Sequence, residues 1–107
     1  MENRIRKIAD HYSYDAQSRQ LIEEMAELTE AFNKFWRKNL HCGEVTLTPY
    51  LLEKLKKTEE YTNILEEVAD VHIMILQITH LLQLDIMPMV EFKLDRQIER
   101  IEKNVES

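Results

Sequence analysis

Two pairs of carboxylates stand at helical spacing in this chain. Glu24 and Glu27 lie in the run LIEEMAEL, and Glu67 and Asp70 lie in LEEVADVHI. Each pair is spaced i, i+3, which on a helix puts both side chains on one face with Cβ atoms roughly 5–6 Å apart. Both pairs border apolar stripes, where an unpaired carboxylate is costly unless a cation, a metal or a proton neutralises it. Two helices that face each other with these pairs would offer four carboxylates to a divalent cation. Hard oxygen donors of this kind suit Mg²⁺ or Mn²⁺, ions that keep several waters and commonly contact phosphates.

Acidic pairs at this spacing are common on solvated helix faces. Here the two strongest helical patterns carry one pair each, at the border of the apolar stripe, and small or β-branched residues follow both pairs. A di-iron bundle would need histidine three residues after a glutamate. The residues three before His11, His41, His72 and His80 are Ile8, Lys38, Ala69 and Gln77, so that pattern is missing. One cysteine and scattered histidines give no tetrahedral zinc set. His72 and His80 read as core or supporting groups, and His41-Cys42 as an exposed loop.

The elements that must position the carboxylates are helices. A first short helix is expected over residues 2–11, with Ile5, Ile8 and Ala9 as its stripe, broken by HYSYD. Ser13 is placed to cap the next helix, residues 14–38, and Asp15 suits its positive end. Leu21, Met25, Leu28, Phe32 and Phe35 recur there as a core stripe. Residues 39–48, with Gly43, read as a loop, and Thr48-Pro49 as a cap followed by proline at the first helical position. Residues 50–60 are charged and helical, with a break near Thr58. The strongest helix covers about residues 60–84. Ile64, Val68, Val71, Ile75, Ile78 and Leu82 form one stripe, which Leu65, Ile73, Met74, Leu76 and Leu81 widen to most of the circumference. Such a helix is central or meets a second subunit. A last helix, residues 88–104, carries Val90, Leu94, Ile98 and Ile101.

The bulk numbers agree. A length of 107 residues fits one domain. One glycine and two prolines argue against a β protein, which needs many turn residues. The fold class is therefore all-α, a bundle of four to five helices completed by oligomerisation. A net charge of −6 disfavours a nucleic-acid polymer as partner. No run of about 20 apolar residues spans a membrane. The charged start MENRIRKIADHY is no secretory signal, and a lone cysteine, Cys42, suits a reducing compartment, so a cytoplasmic location is expected.

The pattern Glu23-Glu24-x-x-Glu27, followed by Glu67-x-x-Asp70 within EEVADV, resembles the MazG-like group of all-α nucleoside triphosphate pyrophosphatases. The resemblance covers residues 17–38 and 65–84 and is weaker over the last helix. It implies a single MazG-like domain over residues 1–107, Mg²⁺ (or Mn²⁺) as cofactor, and cleavage of a nucleoside triphosphate or non-standard nucleotide to monophosphate and pyrophosphate. It implies Glu24, Glu27, Glu67 and Asp70 as ligands, with Glu23 or Glu27 taking a proton from the attacking water. Lys93 and Arg100 match the family's phosphate-holding positions, whereas Gln97 replaces an asparagine. Gln20, Lys34, Trp36 and Lys38 complete the candidate substrate-binding set. Trp36 is suited either to stack on a base or to pack at an interface. The chain departs from the family in its link: residues 28–66 separate the two pairs, 39 residues (66 − 28 + 1) where MazG-like chains usually have fewer. Partners implied are the nucleotide and a second copy or more, as homodimer or homotetramer. Two other readings stay open: a non-catalytic helical oligomerisation module, and a related phosphoribosyl pyrophosphohydrolase.

Overall fold

The computed structural model describes residues 1–40 and 46–106, with the side chains of 105 and 106 left aside. Among these residues it contains four α-helices and no strand, the all-α class expected from composition. Helix α1 covers Glu2–Phe35, α2 covers Pro49–Leu55, α3 covers Glu59–Leu81 and α4 covers Met87–Glu106. Gly43 and the His41-Cys42 pair lie outside the described residues.

The expected break at HYSYD is present inside α1. Ser13 has φ 73° and ψ 166°, so the chain kinks there and resumes its helix at once. That backbone region is open almost only to glycine. Ser13 thus marks the break through its backbone, and not as a hydrogen-bonded cap. After Phe35 the helix widens into one π-helical turn, Trp36–Leu40. There Asn39 Nδ2 donates to Glu60 Oε1 at 3.1 Å and ties the turn to the start of α3. Thr48 and Thr58 behave as their types predict: each hydroxyl accepts a backbone N–H three residues on, from Leu51 and Tyr61, at 3.2 Å. Pro49 fills the first turn of α2.

Helices α1 and α3 run antiparallel and pack along their lengths. Asp10 meets His80, Gln17 meets Gln77, and Asn39 meets Glu60. On α1 the seam follows Gln17, Leu21, Glu24, Leu28, Ala31 and Phe35, all buried or half-buried. Their spacings of 4, 3, 4, 3 and 4 are those of a coiled-coil seam. Met25 and Phe32, expected in the core, are instead 51% and 49% exposed. The reason is angular: the seam runs through Glu24, Leu28 and Ala31, and at 100° per residue Met25 and Phe32 stand about a quarter turn away from it. Val71, Met74 and Gln77 supply the buried side of α3, while Val68, Ile75 and Leu82 remain exposed. The long helix is central on one side only.

A Schellman turn ends α3. The N–H of Gln83 donates to His80 O at 3.2 Å and that of Leu84 to Thr79 O at 3.0 Å, with Gln83 in the left-handed region at φ 52°. Helix α4 then leaves the α1–α3 pair and packs along neither helix. No helix among the described residues is long and apolar enough to cross a membrane.

Candidate metal centre

Glu24 and Glu67 occupy seam positions that a helical pair would normally fill with apolar side chains. Both are half-buried between α1 and α3. Counting 100° per residue, Glu27 and Asp70 lie about a quarter turn from the seam, and because the helices are antiparallel both fall on the same side of it. These two are exposed. The result is an acidic mouth with two carboxylates at its floor and two at its rim. Single oxygens of Glu24, Glu67 and Asp70 all lie within 4.8 Å of one another. Glu27 is not a member of that group but stands beside it at the rim, close enough to feel the charges of Glu24 and Glu67.

The electrostatics follow from this crowding. The negative charges of Glu24 and then Glu67, with burial adding, hold the Glu27 carboxyl above the ordinary carboxylate pKa. Burial, then the charges of Asp70 and Glu24, raise Glu67. Gln20 Nε2 donates to Glu24 Oε1 at 2.8 Å and fixes the carboxylate's orientation. The other oxygen of Glu24, and Oε2 of Glu67, are buried without a hydrogen-bond partner. Buried acceptors are seldom left so. Two of them beside a third carboxylate form a donor set that a hard divalent cation would complete.

The remaining candidates are spread over the surface. Glu23 is exposed on α1, one residue round from the mouth, and is not part of the group. Lys34 is half-buried and lines a small groove with Glu59, Glu60 and Asn63, further along the same α1–α3 seam. Trp36 and Lys38 are exposed on the π-helical turn. Lys93 and Arg100 line a shallow groove with Arg96 and Gln97 that is built from α4 alone, so one chain does not bring them to the carboxylates.

Two polar contacts on the seam escape a reading by residue type. Gln17 Nε2 donates to Gln77 Oε1 in the buried seam two turns before Glu24, and Gln77 Nε2 in turn lies 3.7 Å from Met74 Sδ. Gln77 stands one heptad after Asp70, and its polarity inside an apolar run was the available signal. His80 Nε2 lies 2.9 Å from Asp10 Oδ1 at the far end of the pair, away from the mouth, and His72 is exposed. Neither histidine adjoins the carboxylates. A cleft of about 550 Å³, lined by Met1, Ile5, Leu76, His80 and Leu84 among others, also opens at that far end and contains none of the four acids. Compared with protein-family models, curated proteins and solved structures, the chain matches none of them.

Proposed function

We propose that the chain is a Mg²⁺-dependent nucleoside triphosphate pyrophosphohydrolase, with Mn²⁺ able to substitute, acting on cytoplasmic canonical or modified nucleotides. The observation that carries this reading is the pair of buried, partnerless oxygens, Glu24 Oε2 and Glu67 Oε2, in a group of acids from two facing helices. The resemblance of LIEEMAEL and LEEVADV to the MazG-like motifs supports it from the sequence. Glu24, Glu67 and Asp70 would hold the cation, with Glu27 at the rim. When bound, Mg²⁺ would offset the charge of the triphosphate and acidify a water.

The chain's own groups have defined tasks in such a reaction. Gln20 holds the Glu24 carboxylate in place. Glu27, exposed at the rim beside Glu24 and Glu67, is the carboxylate of the four left over from holding the cation and would take the proton from water. The water oxygen bonds to the α-phosphorus, the bond from that phosphorus to the bridging oxygen of the β-phosphate breaks, and pyrophosphate leaves with the electron pair. Lys34 is the cation placed along the same seam.

A non-catalytic assembly module is the rival, favoured by the exposed apolar residues of α3 and α4. Titration calorimetry with Mg²⁺, together with a pyrophosphate-release assay over canonical and modified nucleotides, separates the two. Mg²⁺ binding and turnover that both disappear in Glu67→Ala support the enzyme. Absence of both in the wild-type chain supports the module. Turnover only of a phosphoribosyl pyrophosphate compound keeps the chemistry and changes the substrate.

A further inference from the structure

At the end of the helix pair away from the acidic mouth, the packing opens. The kink at Ser13 sets off residues 2–12 from the rest of α1, and this segment buries Ile5 and Ala9, four residues apart on one face. Packed helices seldom leave a void much larger than a water. Here Ile5 and Arg6 of α1, with Leu76, His80, Gln83 and Leu84 from α3 and the turn after it, line a cleft of about 550 Å³. That volume falls within the roughly 300–1,000 Å³ of small-molecule sites. His80 stands 13 residues (80 − 67) after Glu67 on α3, about 20 Å at 1.5 Å per residue, so the cleft is separate from the carboxylates.

The lining combines hydrocarbon with hydrogen-bond donors. Ile5, Leu76 and Leu84 are aliphatic. Arg6 uses Nη2 on Glu2 Oε1 at 2.7 Å, but a guanidinium has five N–H donors. Both members of that ion pair are more than half exposed, and such a pair holds weakly. Gln83 sits in the left-handed region at φ 52°, at the helix end where glycine is usual. Glycine there would remove the side-chain amide, which can donate twice. His80 Nε2 lies 2.9 Å from Asp10 Oδ1, which holds the ring in the wall of the cleft. Among the described residues that line the cleft, Glu2 is the one carboxylate, and it is already paired with Arg6. A cationic ligand would therefore find no free acid, whereas a single negative charge would find a guanidinium and an amide.

We propose that this cleft binds a small aliphatic monocarboxylic acid. Its hydrocarbon chain lies against Ile5, Leu76 and Leu84, and its carboxylate accepts from the Arg6 guanidinium and the Gln83 amide. Arg is suited to this task because its planar fork meets both oxygens of a carboxylate. The apolar wall supplies affinity and the two polar groups fix which end of the ligand faces water. The ligand bridges the segment before the Ser13 kink and the end of α3. The site is independent of the proposed nucleotide chemistry, and its test uses no nucleotide.

Octanoate is the probe, with 1-octanol as the control that lacks the charge and acetate as the control that lacks the chain. Proton–nitrogen NMR of the full chain in EDTA should show saturable octanoate shifts at Ile5, Arg6, Leu76, Gln83 and Leu84. Each control should bind about tenfold more weakly, the scale of one hydrogen bond to a charged group. Arg6→Gln should weaken octanoate by about the same factor and leave 1-octanol unchanged. Absence of saturation, equal binding by either control, or shifts centred on the exposed Phe32, Ile75 or Leu94 would overturn the proposal. So would an Arg6→Gln chain that binds octanoate as the wild type does, or that loses both ligands alike. Should that variant fail to fold, the comparison of octanoate with its two controls on the wild-type chain decides by itself.

Discussion

Replacing Glu24 by glutamine should stabilise the protein in a chelator and remove its response to Mg²⁺. The magnitude follows from the crowding. Oxygens of Glu24, Glu67 and Asp70 lie within 4.8 Å of one another. Two unit charges at that distance repel by about 0.9 kcal/mol in a water-like dielectric and about 3.5 kcal/mol at an effective constant of 20. Asp70 is exposed and the other two are half-buried, so the lower end applies, roughly 1 kcal/mol per pair. Within that group Glu24 takes part in two pairs, which sets a gain of about 2 kcal/mol, and relief of its repulsion with exposed Glu27 acts in the same direction. The new amide can also keep the contact with Gln20 and donate to Glu67. For a domain of this size each kcal/mol moves Tm by about 4–8 °C, so Tm in EDTA at neutral pH should rise by several degrees. The wild-type chain should instead gain about 2.7 kcal/mol from Mg²⁺ at a hundred times its dissociation constant, a gain the variant loses. Differential scanning calorimetry of both proteins, in EDTA and in Mg²⁺, reads all four states. A Glu24→Gln protein less stable than wild type in EDTA, or one with an undiminished Mg²⁺ response, would refute the reasoning.

Three further outcomes are expected. Glu27 and Glu67 have pKa values raised above the ordinary 4.5, so the folded chain holds their protons longer than the unfolded chain does. Without divalent cation, stability should therefore be fullest near and below pH 4.5 for these groups and fall as pH rises through their raised values; urea melts in EDTA that show rising stability over that window, in a Glu27→Gln/Glu67→Gln comparison, would contradict this. Ser13→Gly should raise the urea midpoint by the equivalent of about 1 kcal/mol, since roughly 1–3 kcal/mol of backbone strain is relieved and part is lost to glycine's freedom when unfolded, whereas Ser13→Ala should give no gain. Gln77→Leu leaves buried Gln17 without its partner and should cost about 1–3 kcal/mol, and adding Gln17→Leu should recover most of it; an additive second loss would show that the pair is not coupled.

Much of the fold was legible because local chemistry decided it. Thr48-Pro49 and Thr58 start helices by capping, and HYSYD interrupts one, as their residue types require. The acidic pairs were legible because carboxylates beside apolar stripes are costly, and Glu24, Glu67 and Asp70 do converge. The seam itself was not fully legible. Apolar spacing picked Met25 and Phe32, but the close contact follows the heptad through Gln17, Glu24 and Ala31, where two members are polar. Periodicity counts apolar residues and misses a seam that holds a polar layer. The buried Gln17–Gln77 contact pairs residues 60 apart, and no local pattern predicts such a pair. Helix α4 read correctly as amphipathic from its own residues, yet that pattern carries no information on which surface its stripe meets. For the same reason the sequence could not show that Lys93 and Arg100 stand apart from the acids within one chain.

The central claim is that the α1–α3 carboxylates support divalent-cation-dependent cleavage of a nucleoside triphosphate between its α- and β-phosphates. Phosphorus NMR of a nucleotide panel, incubated with the wild-type chain and Mg²⁺, tests it most directly. Monophosphate and pyrophosphate should appear in equal amounts, and both should be lost in Asp70→Asn and in EDTA. Release of orthophosphate with a diphosphate, or turnover that Asp70→Asn leaves intact, would contradict the account.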